Sequence, residues 1–239
     1  MLKSGKYSDL TIKCGESVFK VHRNVICLQS KPLAAAVDGD FKVRYLRKVP
    51  TIGQFNDKVQ ESVTKVIELE EEEPPIVERM VQFMYNRDYS DADGSDATKD
   101  RLLINTKVYI IADKFDIPGL KLAAKEKYQE AKLIEWNCPS FFESLKLMYE
   151  NTLATDRLLK EVAIEVVAKH VKELVDREEF GSLCKESGEI AFDVLKASLN
   201  LSSAEIPSKL KKSGKKNGEA KRDNWNAELL GFMNVVDNA

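Results

Sequence analysis

An α+β fold is predicted: a small sheet of three or more strands flanked by helices, followed by an all-α extension. Three observations lead there. Apolar and polar residues alternate in two short runs near the start of the chain, and again near residue 66. From residue 74 the apolar spacing changes to three and four, the period of a helix with one buried face. Beyond residue 132 only helical spacing recurs, as far as about residue 200.

Taken in order, Leu10 and Ile12 alternate with polar neighbours, as do Phe19 and Val21. Gly15 lies between them, where a tight turn needs a permissive backbone, so the simple reading is a hairpin. From Asn24 the spacing is that of a short helix. Ser30 is placed to cap a second helix, with Pro32 in its first turn and Ala34 to Ala36 as strong helix formers. Asp38-Gly39-Asp40 ends it. Residues 43–60 carry Arg44, Arg47 and Lys48 early, then Pro50, Gly53 and Asn56 as breakers. That stretch reads as an insertion, either an exposed loop or a short added hairpin.

Residues 65–69 alternate and form a strand. Glu70 to Glu73 is a run of four carboxylates. It reads either as a site for a metal or a basic partner or, preferred here, as a solvated turn whose charge suits a helix N-terminus. Pro74-Pro75 opens that helix, and Ile76, Met80, Phe83 and Met84 form its stripe, widened by Val77 and Val81. So wide a stripe predicts burial on most sides. Residues 88–100 are polar and acidic and read as a loop. Ile104, Val108, Ile111 and Phe115 mark the next helix, 116–119 a turn, and Leu120, Ala123, Ala124, Tyr128 and Ala131 a further stripe. Ala112 is small, as a close helix–helix approach would require.

In the extension, Ser140-Phe141-Phe142-Glu143 has the pattern of a capping box, with Phe141, Leu145 and Met148 on one face. One long helix is predicted over 156–178 and a shorter one near 189–199, carrying Ile190 and Val194. The composition shifts over 202–224, where seven Lys and Arg side chains stand against three acidic ones. This is a basic linker with low folding drive. Trp225, Leu229, Phe232 and Val236 then recur at helical spacing, a short amphipathic helix that either folds back on the domain or binds elsewhere.

Several of these segments together resemble the BTB/POZ domain. Ser8-Asp9-Leu10-Thr11-Ile12, the turn, and Phe19-Lys20-Val21-His22-Arg23-Asn24-Val25-Ile26 are similar to that family's first two strands and first helix. Val66 to Leu69 and Pro74 to Tyr89 look like its core strand and central helix, with Asn86 where threonine is usual. Val108-Tyr109-Ile110-Ile111-Ala112-Asp113-Lys114-Phe115, continuing through Leu120-Lys121-Leu122-Ala123-Ala124, is similar to its helical pair. The family's "G-x-F-K-E-S" begins at Gly39-Asp40-Phe41-Lys42, but its acid and serine appear only at Glu61-Ser62. An alternative alignment places Phe55 to Ser62 there. The resemblance spans about 8–132. The helices beyond lie where many BTB proteins carry a three-box or BACK-like extension, and the layout looks like fungal BTB proteins. The domains read as 1–132 (BTB/POZ, with the insertion near 43–60), 133–200 (helical extension), 201–224 (basic linker) and 225–239 (C-terminal helix).

Function follows from what is present and what is not. The chain has 239 residues, 32% of them charged, and a net charge of −2, which argues against a general nucleic-acid binder. No apolar run approaches the roughly 20 residues of a membrane helix, and the first ten residues carry no secretory leader. Cys14, Cys27, Cys138 and Cys184 are widely spaced, which favours neither zinc nor disulfides and suggests a reduced intracellular compartment. No catalytic grouping, phosphate loop or dinucleotide motif appears, so neither an enzyme nor a cofactor is expected. His22 reads as a structural histidine at a helix start, and His170 as a partly buried packing residue.

The resemblance implies protein partners. Its main uses are self-association and presentation of substrates to a cullin-3 ubiquitin ligase. Only seven residues precede Ser8, so no counterpart of the helix that usually forms the dimer is expected in this sequence, and a monomer or another oligomer is the expectation. In the family a hydrophobic-x-Glu motif inserts beside the cullin, and Val59-Gln60-Glu61 has that form. Tyr85 is the other position carried over to that face. Glu61 also reads as one more surface acid. The other reading is an assembly module in a nuclear or transcription-related complex, with Lys209, Lys211, Lys212, Lys215 and Lys216 as an import tract, unless that tract is only a tail. The expected location is cytoplasmic, nuclear or both.

Overall fold

The computed structural model describes residues 5–38, 66–92 and 100–204, with side chains as far as Leu201. The first two strands, β1 (Leu10–Cys14) and β2 (Ser17–Val21), form an antiparallel hairpin in which Leu10 faces Val21 and Cys14 faces Ser17. Its two-residue turn starts at Gly15, whose φ of +54° a side chain would resist. Two short helices follow, α1 (Arg23–Cys27) and α2 (Lys31–Asp38). The strand β3 (Val66–Glu68) then returns parallel to β1, with Ile67 beside Ile12, giving the sheet order β2-β1-β3. Leu10, Ile12, Cys14, Val21 and Ile67 are all buried.

Ser30 caps α2 as its position suggests. Its Oγ accepts the Leu33 amide at 3.1 Å and donates to the Phe115 carbonyl at 2.6 Å. One hydroxyl therefore fixes the start of α2 and ties it to the end of a helix 85 residues away. The central helix α3 (Pro74–Asn86) buries Ile76, Val77, Met80, Val81, Phe83 and Met84, the whole predicted stripe. It also buries Arg79, whose guanidinium donates to the carbonyls of Pro75 and Ser90 at 2.9 Å.

Next comes α4 (Arg101–Lys114), which is buried on nearly every side. Leu102, Ile104, Val108, Ile111 and Ala112 share its interior positions with Asn105, Thr106 and Tyr109. The buried polar groups are paired, as burial demands. Asn105 accepts from the Tyr89 hydroxyl at 2.6 Å and donates to Asp91 at 3.0 Å. Tyr89 itself is 3% exposed, so the first residues of the segment 88–100 are anchored rather than a free loop.

A left-handed Asp116 (φ 49°) closes α4. The Ile117 amide donates back to Ala112 and the Asp116 amide to Asp113, the Schellman pattern. The turn is thus shorter than the predicted 116–119, because Pro118 and Gly119 already form the first turn of α5 (Pro118–Glu135). Most of the predicted stripe on α5 is inside: Leu120, Ala124, Tyr128 and Ala131 are each 0% exposed, while Ala123 is partly buried at its margin.

The extension contains α6 (Pro139–Asn151), α7 (Lys160–Lys169), α8 (Val171–Leu174), α9 (Glu178–Glu186) and α10 (Gly188–Ala204). Two expectations are corrected here. The capping box at 140–143 does not form: Pro139 takes the first helical position behind Cys138, which leaves Ser140 inside the first turn. The long helix over 156–178 is broken. Asp156 stays outside it to bind Tyr109 and Lys121, and the chain leaves helical geometry at His170, whose ring stacks on Trp136 at 3.7 Å. Glu178 already begins α9, a helix that its two buried anchors, Phe180 and Leu183, were too few to announce.

The extension is not a separate body. Packing is most extensive between α4 and α5, then between β1 and β2 and between α4 and α6. One hydrophobic cluster runs from Leu10 to Val194. Ser30→Ala should therefore lower stability by about 1–2 kcal/mol, since it removes a helix cap and orphans a buried acceptor. Urea unfolding should show a lower midpoint with an unchanged slope; an unchanged midpoint would contradict the assignment.

Candidate protein-interaction face

The site is built where β2, α1 and the C-terminal end of α3 meet. Asp9 precedes β1, and its carboxylate accepts the Arg23 amide at 2.7 Å, at the start of α1. Gln29 donates to the carbonyls of both Val25 and Met84 at 2.8 Å, which pins α1 to α3. Leu28, its chain neighbour, is 86% exposed.

At the centre lies His22 with Tyr85. The His22 amide donates to the Tyr85 hydroxyl at 2.7 Å, and Nδ1 lies 2.7 Å from the same oxygen. Nε2 lies 3.0 Å from the Lys6 carbonyl. A carbonyl can only accept, so the neutral ring carries its proton on Nε2, and Nδ1 accepts from Tyr85. All three groups are satisfied by this one arrangement. Burial pushes the Tyr85 hydroxyl up, against the opposing pull of the His22 amide, so the phenol remains protonated and able to donate. His22 is thus the hydrogen-bonded structural histidine expected at a helix start. Tyr85 is half-buried with its hydroxyl engaged. Val59 and Glu61, its companions by resemblance, lie outside the described residues, as do Lys209, Lys211, Lys212, Lys215 and Lys216.

Glu70, Glu71 and Glu73 are exposed, as a solvated turn would have them, and three of the run also form ion pairs. Glu71 and Glu72 reach Lys114, and Glu73 meets Lys107 at 2.7 Å, so the turn before α3 is stitched to α4. A shallow groove of about 140 Å³ lies beside it. A larger one of about 370 Å³ lies between α7 and α10, where Arg157 and Asp193 form an ion pair at 2.7 Å. Burial opposes the charge on Asp193, but donation from Arg157 and Tyr149 outweighs it and holds the carboxyl below its usual range. A carboxylate committed in this way to two donors is a fastener. Among the described residues no group of three or more His, Cys, Asp or Glu is placed to hold a metal, and no helix is long and apolar enough to cross a membrane. Burial also pushes the Cys14, Cys27 and Cys184 thiols up, which leaves them poor nucleophiles at neutral pH.

Sequence reasoning missed three buried or half-buried polar groups. Arg79 is an arginine set within an apolar stripe, and that placement was the available signal. Lys160 is 1% exposed, donates to the Leu153 carbonyl at 3.2 Å and lies over the Tyr149 ring. Gln29 carried no signal, because its two acceptors are backbone carbonyls. Tyr85→Phe keeps the ring and leaves the His22 amide without its acceptor. Stability should fall by about 1–2 kcal/mol, read by urea unfolding. A variant as stable as the parent would show that the His22–Tyr85 contact carries no weight.

The surface is therefore one of rigidly held side chains around shallow grooves, suited to meeting another macromolecule. Comparison with curated proteins finds no match to the chain. The sequence profile of the BTB/POZ domain matches residues 1–133, more than half the chain and the region from β1 nearly to the end of α5. The chain belongs to the BTB/POZ domain family and is a protein–protein interaction module.

Proposed function

We propose that the protein is an adaptor that joins a substrate to a cullin-3 ubiquitin ligase, with no catalytic step of its own. The observation that supports this reading is the continuity between the BTB/POZ domain and the helices after it. The helix α5 runs past the end of the family match to Glu135, and α6 packs on α4. An adaptor gains from a stiff connection of this kind, because the orientation of its two ends is then fixed. In this reading residues 1–132 supply the cullin face and 133–200 widen it. Val59 is the apolar anchor, Glu61 the charged contact, and Tyr85 an edge of the same face. The partners are proteins, the location is cytoplasmic or nuclear, and neither nucleic acid nor membrane is contacted directly.

A second reading keeps the same module and drops the ligase. The surplus of basic residues at 202–224 favours it, with Lys209, Lys211, Lys212, Lys215 and Lys216 directing the protein into a nuclear or transcription-related assembly. One experiment separates the two. The purified N-terminal domain of cullin-3 should capture the full chain, and Glu61→Ala should weaken capture at least about tenfold, as expected when a charged interface contact worth over 1.4 kcal/mol is lost. Equal capture of both proteins removes Glu61 from the interface. No capture of the parent chain leaves the assembly reading in place.

A further inference from the structure

The last described helix is apolar on two opposite faces. On the inner face Ile190 and Val194 are 0% and 6% exposed, and Ala197 and Leu201 line the groove toward α7. On the outer face Phe192, Leu195 and Leu199 are 65%, 58% and 61% exposed. Their spacing is i, i+3, i+7, which places them in one stripe, about half a turn from the buried line. A single exposed leucine is ordinary. Three large apolar side chains in register on one helix form a seam of the kind that another element covers.

We propose that this outer face of α10 is the docking site for the chain's own segment 225–236. That segment carries Trp225, Leu229, Phe232 and Val236 at i, i+4, i+7, i+11, a matching single stripe. The dimensions agree. From Phe192 to Leu199 is about 10 Å along a helix axis, and from Trp225 to Val236 about 16 Å. The helix α10 ends at Ala204, so twenty residues separate it from Trp225. A coil of that length reaches about 25 Å on average. Phe192, the farthest seam residue, lies about 18 Å back along the helix. The tether therefore brings the segment to the seam without strain. It also holds it there at an effective concentration on the order of millimolar, above what a second copy in dilute solution supplies. Docking closes the lysine tract into a loop with both ends held against the extension.

The two tryptophans make the test direct. Trp136→Phe retains an aromatic ring against His170 and leaves Trp225 as the only indole. In the full chain with this change, acrylamide should quench Trp225 several-fold less than in the same chain carrying Leu195→Asp and Leu199→Asp, at every protein concentration. The two aspartates replace exposed side chains and leave the core untouched. Amide exchange over 225–236, with and without the two aspartates and with Trp136 in place, gives the same readout independently. Equal, free quenching in both chains overturns the proposal, because the segment is then undocked. Equal protection in both overturns it as well, because the segment then sits elsewhere. Protection that grows with protein concentration also overturns it, in favour of a second copy.

Discussion

The structure depends on the burial of α4 over most of its circumference, with the line of Leu103, Lys107, Ile110 and Lys114 left half-exposed. A helix buried along one narrow stripe can be satisfied by a single neighbour. This one cannot, because Leu102, Val108, Ile111 and Ala112 are spread over about half of its circumference and all are 0% or 1% exposed. The α3 side covers part of it, α5 another part, and α6 a third part. Its polar side chains enforce the arrangement. Tyr109 must reach Asp156 in the connection before α7, and Lys121 on α5 meets the same carboxylate at 2.7 Å. Burial works against the charge on Asp156, but these two donors more than offset it. The helices that follow the family domain thus cover part of its core.

This has a consequence for function. An interaction module works through the fixed display of its surface, and the display here is set by a few polar ties at element ends. Ser30 joins α2 to α4, Gln29 joins α1 to α3, and Tyr85 joins α3 to the start of α1 through His22. Each tie is short-range and buried or half-buried, so water competes with it weakly. A face organised in this way is preformed, and a preformed face binds with a smaller ordering cost than a loose one.

Much of this was legible in the residues. The hairpin, the buried faces of α3 and α5, and the Ser30 cap follow from period, proline, glycine and capping chemistry, all of which act within a few residues. What was not legible acts at a distance. The break at His170 depends on Trp136, 34 positions earlier in the chain, and the bond from Arg177 to the Asn137 carbonyl strengthens the same bend. The capping box at 140–143 has the right letters, but Pro139 set the helix start ahead of it. Tyr89 looked like part of a polar loop because its partner, Asn105, lies on the next helix. At the candidate face, Tyr85 was singled out by resemblance, whereas its bond to His22 joins positions 63 apart and no local pattern encodes it.

The central claim is that the BTB/POZ domain and its helical extension share one core through α4. Denaturant-dependent amide exchange on the full chain tests it when a single buried side chain of α6 is shortened. Phe141 is 0% exposed, and Phe141→Ala should cost about 3–5 kcal/mol. If the core is shared, amides of β1 and α4 lose protection by the same amount as those of α6 and α7. Protection in β1 and α4 that stays at the parent level while 139–204 opens would mean two cores, and the account would fail.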